Sequence, residues 1–262
     1  MPSVQVECVV EQHGDGSRSL ARITVPDIPD LVCDLWCYED KFGVGEASEV
    51  DGDLLFTHAH STTPDVELTT RMTSGRDRVL IRMTVTGPDE ESVRAVRRVN
   101  ACWQFRRSPT FGNRGHFVRD FVGRCFVVTA DGVTRLTDTA RHPDTRRPKD
   151  DDQNSPPWVQ RYVPSWMPHP GQPVASWGNS SDRPTESLVG VVSRDGKHLA
   201  AWGCRRCVGI GQGWHDCLHL LPDMSLDYDP ATNRIESVAI LYFLPNDPDA
   251  LLARYREDFA VS

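Results

Sequence analysis

Three glycine-containing turn signals constrain this chain most, because each sits between two strand-length apolar runs. Gly14-Asp15-Gly16 separates the alternating run Val4–Val10 from Leu20–Val25. Asp131-Gly132 divides RCFVVTADGVTRLTD, and Asp195-Gly196 divides SLVGVVSRDGKHLAAWG. Glycine accepts a positive φ at no steric cost, so each segment predicts a β-hairpin. Further strand-like runs are LVCDLWCY, DLLFTHAH, VELTTRM and RVLIRMTV. In the last of these Arg82 and Thr84 alternate with Ile81, Met83 and Val85, which predicts one wet and one buried face. RIESVAILYFL (Arg234 to Leu244) is the most apolar run and predicts a central strand.

Helical signals are few. Pro88-Asp89-Glu90-Glu91 opens SVRAVRRV as one or two turns of helix, with a strand as the alternative because valine favours strands. DPDALLARYREDF (Asp247 to Phe259) has an Asp cap and an acidic first turn. It carries Leu251, Leu252, Tyr255 and Phe259 at helical spacing, which predicts a short helix across one end of the sheets. Strands do not alternate with helices, so the predicted fold is all-β: an antiparallel β-sandwich, or supersandwich, with one short C-terminal helix. The 262 residues read as a single domain over 1–262.

The segment from Arg141 to Pro184 interrupts this pattern. It holds nine of the 19 prolines, which remove ladder donors, so it reads as a long loop or sheet edge over about 141–184. Its second half carries Trp158, Tyr162, Trp166 and Trp177, and a long aromatic loop of this kind is usually functional.

Charge and motifs exclude several classes. The formal net charge of −8 argues against nucleic acid or an anionic membrane as partner. No apolar run approaches the ~20 residues of a membrane span. The first residues lack a basic and an apolar region of the signal-peptide kind, which predicts a cytoplasmic protein on the sequence given, with a secreted one as the alternative if a leader has been trimmed. Serine-hydrolase GxSxG, phosphate-binding and HExxH patterns are absent from the sequence. The eight cysteines lie mostly in apolar runs and predict buried thiols in a reducing compartment.

Two segments carry candidate chemistry. Cys204-Arg-Arg-Cys207 followed by Trp214-His215-Asp216-Cys217-Leu-His219 is the densest ligand cluster. Zinc takes four soft or borderline donors, so Cys204, Cys207, His215, Cys217 and His219 form a candidate zinc set; no other cofactor is expected. Alternatively, His215 or His219 with Asp216 or Asp223 forms an acid–base pair. His58 and His60, two apart on a predicted strand, read mainly as a solvated face. The second segment offers Trp103, Gln104, Arg106 and Arg107, then Asn113, Arg114 and His116. Guanidinium forks bind carboxylates, and aromatic faces with polar neighbours suit sugar rings.

The C-terminal third resembles galactose mutarotase-like sugar-acting proteins. The resemblance rests on Trp202-Gly203, on Cys217-Leu218-His219-Leu220-Leu221-Pro222, and on RIESVAILYFL running into a short helix. It implies a supersandwich binding sugar on a concave face, in a family that includes epimerases, lyases and non-catalytic relatives. The expected ligand is therefore a sugar or a uronic-acid-containing glycan. Trp103, Gln104, Arg106, Arg107, Asn113, Arg114, Trp158, Trp166 and Trp214 are the candidate binding residues. For lyase or epimerase chemistry, His215, His219, His116, Tyr162 and Asp216 are the candidate acids and bases, with Arg106 or Arg107 neutralising a substrate carboxylate. A non-catalytic carbohydrate- or protein-binding domain is the alternative, and a zinc protein the third reading.

Overall fold

The computed structural model describes residues 3–13, 16–37, 42, 45–112, 118–140, 160–168, 178–213 and 216–260. The chain runs through β1 (Gln5–His13), β2 (Gly16–Thr24), β3 (Val32–Cys37), β4 (Glu46–Val50), β5 (Asp53–Ala59), β6 (Glu67–Ser74) and β7 (Arg78–Thr86). Helix α1 (Glu90–Arg94) leads to β8 (Ala101–Gln104), α2 (Val118–Val122), β9 (Cys125–Thr129) and β10 (Gly132–Arg135). Then come β11 (Gln160–Tyr162), β12 (Gly178–Asn179), β13 (Leu188–Val192), β14 (His198–Cys204) and β15 (Cys207–Gln212). The chain closes with β16 (Cys217–Pro222), β17 (Tyr228–Asp229), β18 (Arg234–Pro245) and α3 (Pro248–Phe259).

Two sheets form from these strands. One has eight strands in the order β1-β2-β3-β8-β16-β15-β11-β12. The other has ten, in the order β10-β9-β13-β14-β18-β7-β6-β5-β4, with β17 on β18. Pairing is antiparallel except between β11 and β12. The chain is thus the all-β sandwich that alternation predicts. β1 and β4 each stand at the end of a sheet order.

The predicted turns and caps fall where their chemistry dictates. Gly132 and Gly196 adopt φ of 94° and 72°, as the β9–β10 and β13–β14 hairpins require. The Asp15 turn itself lies outside the described residues, but His13 pairs with Gly16 across it. Asp89 caps α1 by accepting from Ser92 N at 2.8 Å, which resolves SVRAVRRV in favour of a short helix. Asp247 caps α3 through Ala250 N at 3.0 Å. β18 pairs with both β7 and β14, so the most apolar run is central.

Strand alternation sorts the side chains into three layers. Between the sheets lies the main core, including Leu35, Trp103, Leu218, Phe56, Ile81, Trp202 and Leu241. Beyond the ten-stranded sheet, Phe126, Val128, Leu188, Leu199, Ile240 and Tyr242 pack beneath Leu251 and Tyr255 of α3. Beyond the eight-stranded sheet, the apolar cluster is small: Leu20, Trp36, Cys102 and Cys217, with Val9 against it.

The Pro- and Trp-rich loop is partly sheet. Residues 141–159 and 169–177, with Trp158 and Trp177, lie outside the described set. Gln160–Tyr162 and Gly178–Asn179 instead extend the eight-stranded sheet past β15. The polar segment from Asn100 is likewise more than a recognition loop, because its first residues form β8 in the middle of that sheet.

Candidate functional site

The outer face of the eight-stranded sheet carries the polar residues, and cross-strand register explains why they meet. Glu7, Arg22, Asp34, Gln104 and Cys217 stand side by side across β1, β2, β3, β8 and β16. The adjacent row on the same face runs Trp36, Cys102, His219, Gly211 and Arg161. Asp34, Gln104 and His219 are buried although they point away from the main core. A buried polar group without a partner costs about 1–3 kcal/mol, so each one's hydrogen bonds matter.

Asp34 is the best satisfied. It is 1% exposed and accepts from Arg22 Nε at 2.9 Å and from Arg107 Nε at 2.8 Å. Glu11 extends this network, taking Arg22 Nη2 at 3.1 Å and also Arg107. Burial pushes the Glu11 carboxyl up, but the hydrogen bond and charge of Arg107, with Arg106 and Arg22, outweigh it and hold the group below its ordinary value. Arg106 lies 5.8 Å over the Trp36 ring. Arg107 is therefore committed to two internal carboxylates, which corrects its expected role of neutralising a substrate carboxylate.

Gln104 and Arg161 are less satisfied. The Gln104 amide nitrogen donates to Cys102 Sγ at 3.5 Å, while its buried Oε1 has no hydrogen-bond partner among the described residues. Arg161 lies over Gly209, with its Nε 3.1 Å from where a Cβ there would sit. That Nε is buried and likewise unpartnered among the described residues. Burial, then the charge of Arg98, lowers the Arg161 pKa. An anion at this point would relieve both effects.

His219 is held by its neighbours. Its Nδ1 lies 3.2 Å from Asn100 Oδ1, and its Nε2 lies 3.5 Å from Cys217 Sγ. The amide oxygen accepts the Nδ1 proton, so the Nε2 lone pair faces the sulfur. Donor atoms of Cys102, Cys217 and His219 all lie within 4.8 Å of one another.

Several sequence expectations are corrected by placement. Trp103 faces the main core, fully buried, and donates from Nε1 to Cys33 Sγ at 3.1 Å. It is a core residue because it alternates with Gln104, and only one of the two can face outward. Tyr162 is also in the main core, its hydroxyl 2.7 Å from Thr139 Oγ1. It is not placed to act as acid or base on the outer face. Trp166 packs against the core and donates to Cys207 O at 3.0 Å. Asp216 is turned towards the Phe105–Gly112 turn, its Oδ2 2.8 Å from where a Gly112 Cβ would sit. Asp223 accepts from Ser225 N at 3.0 Å and lies 3.6 Å from Arg206 Nε.

The proposed five-residue zinc set does not assemble. Cys204 and Cys207 belong to the main core, whereas Cys217 packs with Leu20, Trp36 and Cys102 on the far side of the eight-stranded sheet. Burial, followed by its neighbour Cys207, pushes the Cys204 thiol well up. All eight cysteines are thiols outside any disulfide. His58 is buried against Phe56 and Gly45, not on a solvated face. His60 makes an edge contact with Phe42. Asn113, Arg114, His116, Trp158, Trp214 and His215 lie outside the described residues.

Among the predicted site residues, Gln104, Arg106, Arg107, Cys217 and His219 thus share one face. Asp34, Asn100, Cys102 and Arg161 join them without having been singled out. For Cys102 the signal was available: it and Gln104 are two apart, as are Cys217 and His219, so both pairs face one way if their strands are neighbours.

The comparisons with known proteins are sparse. No family model matches the chain, and no curated protein matches its sequence. Among solved structures, the chain is similar to a galactose mutarotase related enzyme from Lactobacillus acidophilus. Identity is 9%, the TM-score is 0.42, and the match covers 92% of this chain and 96% of that one. Among the described residues, no helix is long and apolar enough to cross a membrane.

Proposed function

We propose that the chain binds an acidic sugar on the outer face of the eight-stranded sheet, with hydroxyls at Gln104 and the carboxylate at Arg161. The observation that carries this reading is the buried Gln104 Oε1 at the centre of that face, without a hydrogen-bond partner among the described residues. A sheet face meant only for packing would carry an apolar residue there, because an unmet acceptor costs free energy. A sugar hydroxyl donates to such an oxygen. The Arg161 Nε, unpartnered among the described residues, supplies a charge-assisted donor to a carboxylate. Three strand spacings separate β8 from β11, about 14 Å, so the ligand is larger than a single small anion.

The reading is one of binding. Of the predicted acids and bases, His219 is the one that the described residues place on this face, and its Nε2 lies 3.5 Å from Cys217 Sγ. The lyase and epimerase alternatives need a proton-transfer group facing the ligand.

Calorimetric titration with galacturonate, glucuronate and the matching neutral sugars tests this. Uronates should bind the wild type. Arg161→Gln should weaken them more than tenfold, as loss of a charge-assisted hydrogen bond of about 1.5–3 kcal/mol implies, and leave neutral sugars unchanged. Gln104→Leu should weaken both classes. Absence of heat with every sugar, or equal affinities in wild type and variants, overturns the proposal.

A further inference from the structure

We propose that Cys102, Cys217 and His219 form a Zn(II) site on the outer face of the eight-stranded sheet, with a fourth coordination position that no described residue is seen to fill. Nothing in the proposed sugar contacts requires these three residues. They come together because β8 and β16 pair antiparallel, with His219 opposite Cys102 and Cys217 two residues along, opposite Gln104. All three are buried, and their donor atoms lie within 4.8 Å of one another.

Four features match what a metal at this point needs. First, Zn–S and Zn–N bonds of about 2.3 and 2.0–2.1 Å at a tetrahedral angle put sulfur and nitrogen about 3.5 Å apart. Cys217 Sγ and His219 Nε2 are 3.5 Å apart. Second, Asn100 Oδ1 accepts from His219 Nδ1 at 3.2 Å, leaving Nε2 as the atom with a lone pair towards the sulfur. This is how outer groups orient a metal-bound imidazole. Third, the Gln104 amide nitrogen donates to Cys102 Sγ at 3.5 Å, a contact that favours the thiolate form. Fourth, residue 213 is glycine, and a Cβ there would lie 2.6 Å from His219 Nε2 and 2.7 Å from Cys217 Sγ. The backbone just past β15 thus approaches the two donor atoms more closely than a side chain there would allow.

Two thiolates and one neutral imidazole are borderline-soft donors, the set that Zn(II) takes, and three protein ligands leave its fourth position for water or another ligand. Binding converts two thiols to thiolates, so two protons leave for each metal bound, and affinity rises with pH.

Cobalt(II) is the spectroscopic probe. Titrated into the reduced full chain, it should reach one ion per chain and show a sulfur-to-cobalt charge-transfer band, and Zn(II) should displace it. Cys102→Ser and Cys217→Ser should each weaken or abolish the band, and His219→Gln should weaken binding. Cys204→Ser with Cys207→Ser should leave band and stoichiometry unchanged, because that pair lies in the other layer. Gly213→Ala, which removes no ligand, should weaken binding by filling the space beside the donors. Circular dichroism of each variant separates loss of metal from loss of fold. No charge-transfer band in the reduced wild type overturns the proposal. So does a band that survives both Cys102→Ser and Cys217→Ser. A thiol count two short of eight in freshly purified protein, restored by reductant in wild type but absent as a deficit in Cys102→Ser, also overturns it, because the pair would then be a disulfide.

Discussion

The two outer faces of the sandwich have opposite chemistry. Over the ten-stranded sheet, α3 lays Leu251 and Tyr255 onto Phe126, Leu188, Ile240 and Tyr242, and the Tyr242 hydroxyl donates to Asp258 at 2.9 Å. The Tyr255 hydroxyl donates to Cys204 O at 3.0 Å and accepts from Ser187 N at 3.1 Å. Over the eight-stranded sheet, Asp34, Gln104 and His219 are buried among a few apolar residues, and Gln104 Oε1 has no partner among the described residues. The first face is built for stability. The second keeps polar capacity in reserve at some cost, as expected of a surface shaped for a ligand.

Substitutions on the two faces should separate these roles. The largest effect is expected from Tyr255→Ala, which removes a buried ring and both of its hydrogen bonds. It should cost about 3–5 kcal/mol in denaturant unfolding, with sugar affinity of the folded fraction unchanged. If Tyr255→Ala were silent, α3 would not be sealing its face.

Next comes Asp34→Ala, expected to cost about 2 kcal/mol. Breaking a buried ion pair is severe, but Arg22 and Arg107 reach solvent and regain some hydration. A cost as large as that of Tyr255→Ala would mean the eight-stranded face is also a stability element.

Glu11→Gln should cost less than about 1 kcal/mol at neutral pH, because solvent screens the pair. The folded carboxyl titrates below its ordinary value, so its contribution is complete above that value and disappears as pH falls through the lowered one. Wild type and Glu11→Gln melting temperatures should therefore converge on acidification below about pH 4. A gap that widens with acid would contradict the Arg107 contact.

The smallest effect on stability is expected from Gln104→Leu. Replacing a half-satisfied amide by an apolar group of similar size should be neutral or slightly stabilising. Its consequence should appear in the sugar titrations instead. A clear loss of stability would show that Gln104 has a structural partner and does not await a ligand.

Much of the sandwich was legible because turns and alternation are local. Asp131-Gly132, Asp195-Gly196 and the Asp247 cap each fix their segment through backbone chemistry within a few residues. The site was legible only in part, because it depends on which strands become neighbours. Gln104 and His219 could be suspected singly. That β8 lies beside β16, and so brings Cys102 against Cys217, is a non-local pairing that no window of sequence contains. The same dependence misplaced Trp103 and Tyr162. Aromatic side chains suit a sugar face and a core equally, and the pleat decides between them. The CxxC was misjudged for a related reason, since β14 and β15 are consecutive in the chain yet lie in different sheets.

Two of the four strands that end the sheet orders, β1 and β4, bear on how copies of the chain meet. Among the described residues β1 and β4 each pair on one side, which leaves backbone donors and acceptors able to recruit another strand. Glu7 lies on β1, and Glu46 and Glu49 on β4, all exposed. Two copies approaching along like edges bring these carboxylates together, on a chain already carrying −8. Repulsion of this kind is screened by salt and removed by protonation. Filament-like association through the sheet edges should therefore be held off at neutral pH in dilute buffer, and should grow as ionic strength or acidity increases.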